Sequence, residues 1–157
     1  KPRGKPDSAN HMISIGLILS VPIATADRTY LFGKILPDDI PVIATGLCLA
    51  AILLGMWARI SLGAAYSPRG ETGTGSRLVQ TGPYRKVRHP MYAAACIWAF
   101  FWPLLINSLI GALLTSILVA YAVSKRIERE EQALINAFGD EYLEYRKTTW
   151  RLIPFIN

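Results

Sequence analysis

The sequence predicts an all-α, multi-pass membrane protein with about four membrane segments, a tight C-terminal helical hairpin and a cytoplasmic C-terminal helix. Three stretches, residues 12–26, 40–58 and 91–123, contain no Asp, Glu, Lys or Arg, although 18% of all residues are charged. Hydrophobic residues make up 52% of the chain. This segregation is typical of membrane spans and argues against a soluble globular domain, a disordered chain, a collagen-like chain or a disulfide scaffold.

The first eleven residues differ in character from the rest of the chain. They are polar and without hydrophobic pattern, and the apolar sequence starts abruptly at Met12. His11-Met12 is what a common cloning site encodes. We therefore interpret residues 1–11 as a vector-derived leader and residues 12–157 as a single membrane-embedded domain.

Two membrane helices are expected in the N-terminal part, residues 12–63. The first should run from Met12 to about Phe32. Asp27 and Arg28 interrupt it, and a charge at the bilayer centre costs about 2.5–3.5 kcal/mol. We therefore expect this pair near an interface or paired inside the helix bundle. The second helix should run from Ile40 to Ile60.

A helical hairpin is expected from the longest uncharged stretch. Residues 64–77 are rich in Gly, Ser and Thr and predict an exposed loop before it. The 33 residues of 91–123 would form a helix about 50 Å long, which exceeds a bilayer core of about 30 Å. The polar pair Asn107-Ser108 favours a turn near Pro103 to Ser108. Such a turn would bring His89 opposite Arg126, and therefore Arg88-His89-Pro90 next to residues 126–131 on one membrane face.

The remaining residues divide into a core and a tail. Residues 78–138 would contain the hairpin and the binding site, and residues 139–157 would form the C-terminal tail. After the hairpin the apolar pattern has helical spacing, and Gly139 is a good stop signal. Asp140 to Lys147 can then form a second short helix.

Basic residues predict the orientation in the bilayer. Most of them lie in the middle loop and the tail, whereas the loop after the first segment has only Arg28 and Lys34. The positive-inside rule places the middle loop, the tail, both termini and the site in the cytoplasm. The net charge of +6 is explained in this way, without a nucleic-acid partner. Cys48 and Cys96 lie in apolar stretches and are interpreted as core residues, and no metal-ligand spacing exists.

Arg88-His89-Pro90 is the first candidate motif. Proline fits the first helical turn, so His89 should lie at the cap of a membrane helix. Free N–H groups and the Arg88 charge would then make an anion site beside the membrane. The alternative is an ordinary interface anchor whose arginine faces lipid headgroups.

Glu131 is the second candidate, because it lies in the middle of an apolar helix face, with Glu130 at the edge. A carboxylate in such a place requires a partner or a ligand. The alternative is a salt bridge to Arg126 or Arg88 that only joins the arms of the hairpin. Taken together, the two motifs would suit a zwitterion that carries a carboxylate and a cation.

The two motifs also resemble a known family. LVQTGPYRKVRHPMY at residues 78–92, RIEREEQALINAFGDEYLEYRK at residues 126–147 and a final RLIPF are similar to the isoprenylcysteine carboxyl methyltransferase family. The resemblance implies an integral membrane enzyme that uses S-adenosylmethionine and releases S-adenosylhomocysteine. It also implies a lipophilic or prenylated substrate that enters from the bilayer, with a carboxylate of isoprenylcysteine type as the expected acceptor.

The resemblance assigns roles to eleven positions. Arg88 and Arg126 should face the substrate carboxylate as catalytic residues. The cofactor should be held by Leu78, Val79, Gly82, Tyr84, His89, Pro90, Tyr92, Glu130 and Glu131.

Three other functions remain open at this stage. The first is methylation of a phospholipid or of a small-molecule amine or thiol by the same fold. The second is an NADPH-dependent sterol-type reductase, and the third is a non-enzymatic membrane protein. The short chain suggests a prokaryotic cell membrane, whereas the acceptor and the oligomeric state are left open.

Overall fold

Five α-helices build the part of the protein that the structure describes. The structure is a computed structural model that describes residues 8–27, 36–63 and 78–152. Its helices are α1 (Ser8–Ala26), α2 (Ile40–Leu62), α3 (Pro90–Phe101), α4 (Leu109–Phe138) and α5 (Asp140–Thr148). Short 3-10 helices at Gly82–Arg85 and Trp102–Ile106 precede and follow α3. In the described ranges the only β-type pairing is an isolated bridge between Val87 and Trp150.

Two of these helices are long and apolar enough to cross a membrane, namely α2 and α4. Pro90–Ile106 is also apolar but shorter. Many large apolar side chains on α2 and α4 point away from the protein, and Val42, Ile60 and Ile117 are 71%, 74% and 65% exposed. Exposed apolar surface of this kind is suited to contact with lipid. The number of crossings stays a prediction.

Helix α1 spans Ser8–Ala26 and so includes residues before the predicted start at Met12. The predicted end near Phe32 lies outside the described residues. The adjacent Asp27 is buried, and its carboxylate accepts hydrogen bonds from the Ser108 hydroxyl (2.6 Å) and the Ile110 amide (3.1 Å). Asp27 thus satisfies free donors at the start of α4, which confirms pairing inside the bundle.

Several predictions lie partly or wholly outside the described residues. These concern the leader before residue 8, the chain at residues 28–35, the loop at residues 64–77 and the end of the tail at residues 153–157. The interpretation of residues 1–11 as a leader stays a prediction.

The hairpin turn lies where the sequence predicted it. Asn107 has a left-handed backbone (φ 59°), and the Ser108 hydroxyl caps α4 by accepting a hydrogen bond from the Gly111 amide (3.0 Å). The hairpin brings Arg88 and His89 next to residues 126–131, as predicted, since both contact Glu131. Arg126, which was expected opposite His89, contacts Tyr92 further along α3.

Helices α1 and α4 are in close contact at Gly111. A Cβ atom there would lie 2.5 Å from the Ser108 Oγ and 2.9 Å from the Ala24 Cβ. We expect Gly111→Ala to lower the free energy of unfolding by about 1–3 kcal/mol, since overpacking forces the helices apart. Thermal unfolding in detergent measures this. Gly46→Ala on α2 is the control, because no atom lies within 4 Å of its Cβ position. Equal stability of the two variants would contradict the close packing.

The end of α4 directs the tail back to the start of α3. Helix α4 stops at Phe138, and Gly139 has a φ of 52°, which confirms the predicted stop. Helix α5 then agrees with the predicted short helix to within one residue. After α5, the Trp150 amide donates to the Lys86 carbonyl (2.9 Å), and the Arg88 amide donates to the Trp150 carbonyl (2.8 Å). The tail is thereby fixed beside the motif that opens α3.

Candidate functional site

A buried carboxylate with three basic neighbours forms the centre of the site. The Glu131 Oε1 atom lies 3.2 Å from the Arg88 Nε and 3.4 Å from the His89 Nε2. Its Oε2 atom lies 3.7 Å from the Arg151 Nε. Arg88, His89 and Glu131 are each at most 6% exposed. We call these four residues the Glu131 cluster. Helix α4, the cap of α3 and the tail all contribute to it.

Arg88 links the hairpin to the tail. Its guanidinium donates to Glu131, to the Arg146 carbonyl (2.9 Å) and to the Thr149 carbonyl. The Arg88–Glu131 ion pair is one of the two salt bridges that the sequence suggested for Glu131. Since Arg88 is 6% exposed, its side chain offers little surface to a ligand. The geometry therefore suits Arg88 to fixing Glu131 and the tail.

A second group surrounds Tyr92, one turn into α3. The Tyr92 hydroxyl donates to the Glu130 Oε2 (2.7 Å) and accepts a hydrogen bond from the Arg126 Nε. The Arg126 guanidinium also lies 5.7 Å from the centre of the Tyr92 ring. We call these three residues the Tyr92 cluster. The His89 and Tyr92 rings stack at 5.7 Å between centroids, so the two clusters are adjacent.

Five predicted cofactor residues lie on the segment that leads into α3: Leu78, Val79, Gly82, Tyr84 and Pro90. Pro90 is the first residue of α3, which confirms His89 as its cap. Gly82 has a positive φ of 59° and packs against Ser61 and Trp57 of α2. Tyr84 is buried, and its carbonyl accepts a hydrogen bond from the Tyr145 hydroxyl (2.6 Å).

Two tyrosines of α5 are held in their neutral form. Burial raises the pKa of Tyr145 to about 12. The pKa of Tyr142 is also above its ordinary value, through burial and then through the nearby Glu131 carboxylate. The Tyr142 hydroxyl is buried and has no hydrogen-bond partner in the part of the chain that the structure describes. It therefore lies near the Glu131 cluster as a neutral polar group.

Sequence reasoning missed the contribution of the tail. Arg151 and Tyr142 were assigned no role, although both belong to the motifs that carry the resemblance. Backbone bonds such as that from the His89 amide to the Arg151 carbonyl (3.2 Å) leave no trace in residue types. Within residues 8–27, 36–63 and 78–152, no group of His, Cys, Asp and Glu side chains is arranged to hold a metal ion.

Comparison with known proteins gives several similar sequences. The family model described as the isoprenylcysteine carboxyl methyltransferase (ICMT) family matches residues 43–136. A protein-S-isoprenylcysteine O-methyltransferase of Schizosaccharomyces pombe is 40% identical over 79 residues, covering 50% of this chain and 34% of the relative. The human protein of the same name is 35% identical over 80 residues, covering 51% and 28%. The uncharacterized protein YpbQ of Bacillus subtilis is 36% identical over 93 residues, covering 56% and 55%.

One solved structure has the same fold. It is the eukaryotic intramembrane Ras methyltransferase ICMT, with a TM-score of 0.79, 23% identity, and coverage of 91% of this chain and 52% of that chain. The chain thus spans about a third to about half of the length of most of these proteins. Together with its apolar helices, the fold makes it an integral membrane protein. Because the family model matches more than half of the sequence, the chain belongs to the isoprenylcysteine carboxyl methyltransferase family.

Proposed function

We propose that this protein transfers a methyl group from S-adenosylmethionine to the carboxylate of a lipophilic acceptor of isoprenylcysteine type. The observation that carries the proposal is the adjacency of the Glu131 and Tyr92 clusters at the end of a membrane hairpin. One cluster is suited to a zwitterionic cofactor and the other, through Arg126, to a carboxylate. Membership of the family supports both assignments.

The Glu131 cluster fits the amino-acid end of S-adenosylmethionine. The Arg151 Nε is buried and has no hydrogen-bond acceptor among the described residues, and the His89 Nε2 is buried 3.4 Å from Glu131. A buried donor such as the Arg151 Nε favours a ligand that supplies an acceptor. Glu131 would bind the ammonium group of the same ligand, and His89 and Tyr92 would line its path. The cofactor would supply a methyl group on a positively charged sulfur.

Arg126 is the residue that we assign to the acceptor. A carboxylate with a pKa near 4 is already ionised at pH 7, so its methylation requires no general base. The arginine can orient the carboxylate without giving it a proton. Tyr92 holds the guanidinium of Arg126, Glu130 holds the Tyr92 hydroxyl, and Arg88 holds Glu131. The protein would contribute proximity and exclusion of water while one C–O bond forms and one C–S bond breaks.

In this proposal the acceptor reaches the site by diffusing within the bilayer. Exposed apolar side chains on α2 and α4 suit a substrate that diffuses in the bilayer. The distribution of basic residues favours a site and both termini on the cytoplasmic side. The uncharged stretches favour four crossings, and the similarity to a Bacillus subtilis protein supports a prokaryotic host. This topology is part of the proposal.

Two measurements test the proposed function. We expect calorimetry to detect binding of S-adenosylhomocysteine to the protein purified in detergent. We then expect transfer of labelled methyl to a farnesylated or geranylgeranylated cysteine derivative, with a product that releases methanol in base, as an ester does. An amine or thiol product would be stable to base and would reassign the acceptor. A folded protein that binds no S-adenosylhomocysteine would contradict the methyltransferase function.

A further inference from the structure

Arg151 differs from the other arginines of the site in how its side chain is satisfied. The Arg88 guanidinium makes three hydrogen bonds within the protein. The Arg151 Nε lies 3.7 Å from Glu131, too far for a hydrogen bond, and is buried without an acceptor among the described residues. The Arg151 side chain is 33% exposed, whereas that of Arg88 is 3% exposed. Arg151 is therefore the arginine of the Glu131 cluster that has both access and unused donor capacity.

The charges around Glu131 do not balance. Arg88 and Arg151 bring two permanent positive charges to a single carboxylate. One carboxylate cannot neutralise both cations, so the partly buried Arg151 would gain from a further anion. An anionic group of a ligand beside Arg151 would neutralise this arginine, while Glu131 would bind a cationic group of the same ligand. A ligand with an ammonium and a carboxylate on the same carbon atom meets both requirements.

The tail also holds Arg151 in a defined place. The backbone of residues 150 and 151 pairs with the segment that opens α3, through the Trp150 amide, the Arg88 amide and the His89 amide. Arg126 lies five residues before Glu131 on α4, which corresponds to about 7.5 Å along the helix. Its contact is with Tyr92. The two arginines therefore suit two different carboxylates.

We propose that Arg151 binds the α-carboxylate of the cofactor, beside Glu131, which binds its ammonium group. This inference rests on the proposed function, since it assigns a residue to the cofactor of that reaction. Arg151 is then a specificity-determining residue that distinguishes the intact amino-acid end from one that lacks its carboxylate. The tail thereby becomes part of the cofactor pocket.

A comparison of two ligands tests the assignment. One is S-adenosylhomocysteine, and the other is its decarboxylated analogue, 5′-deoxy-5′-(3-aminopropylthio)adenosine. We expect calorimetry to show that the wild type prefers the first ligand by about 10–100-fold, the range of a charge-assisted hydrogen bond. Arg151→Gln should lose this preference by weakening only the binding of S-adenosylhomocysteine. Arg151→Lys, which keeps the charge, should retain part of it.

Each other outcome has a distinct meaning. Lys147→Gln on the same tail is the matched control and should bind both ligands as the wild type does, since Lys147 forms an exposed surface pair with Glu144. Equal weakening of both ligands by Arg151→Gln would overturn the inference and give Arg151 a structural role. A wild type that binds the two ligands equally would overturn it without any variant. Failure of the wild type to bind either ligand would instead contradict the proposed function.

Discussion

Replacing Glu131 by Gln is expected to destabilise the protein by about 3–5 kcal/mol and to weaken S-adenosylhomocysteine binding more than about tenfold. The substitution leaves Arg88 buried without its counter-charge, and Arg88 is 6% exposed. It also removes the carboxylate that we assign to the ammonium group of the cofactor. Unfolding in detergent and calorimetry measure the two effects separately.

The control for this prediction lies on the same helix. Glu128 pairs with Lys125 at 3.2 Å, and its side chain is 54% exposed. Glu128→Gln should change the stability by at most about 1 kcal/mol, as exposed ion pairs do. Equal stability of Glu131→Gln and Glu128→Gln would contradict the assignment of Glu131 as the counter-charge of the buried Arg88.

A double variant separates binding from folding. Arg88→Met combined with Glu131→Gln removes both charges of the buried pair. We expect a coupling of about 0.5–3 kcal/mol, so the double variant should be more stable than the sum of the single effects predicts. Its affinity for S-adenosylhomocysteine should stay low, because Glu131 is still absent. If the double variant regained both its stability and its affinity for S-adenosylhomocysteine, the role of Glu131 would be structural only.

The sequence predicted the elements whose signals are local. Asn107-Ser108 marked the turn of the hairpin, and Gly139 marked the end of α4, because both are determined by backbone preferences of the residues themselves. The start of α1 was less accurate, since the helix already includes Ser8. The partner of Asp27 could not be predicted either, because it lies at the start of α4, more than eighty positions away.

The contacts in the site could be predicted only in part. Both motifs were identified and lie next to each other as predicted, but His89 contacts Glu131 rather than Arg126. The burial of Arg88 depends on carbonyl acceptors at Arg146 and Thr149, which every sequence possesses. Arg151 was missed for the same reason, since backbone bonds position it. The residue types indicated which side chains belong to the candidate site. Backbone carbonyls, which the residue types do not indicate, determine that Arg88 is the buried arginine.

Arg126→Ala is expected to lower the turnover of a lipophilic carboxylate by about 100-fold or more, the scale on which misplacement of a reacting group acts. Arg126 contacts Tyr92 and is half-buried, so its loss leaves the acceptor carboxylate without its orienting group. The affinity for S-adenosylhomocysteine should be unchanged, because the Glu131 cluster remains intact. Methyl transfer at saturating cofactor and calorimetry measure the two quantities.

Arg126→Lys makes this prediction more specific. Lysine keeps the charge but lacks the planar fork that holds a carboxylate by two parallel bonds, so turnover should recover only in part. Lys125→Ala, next to it and 50% exposed, should behave as the wild type. Unchanged turnover in Arg126→Ala would remove Arg126 from the acceptor site. A parallel loss of cofactor affinity would assign Arg126 to the cofactor, and the acceptor carboxylate would then need another partner in the Tyr92 cluster.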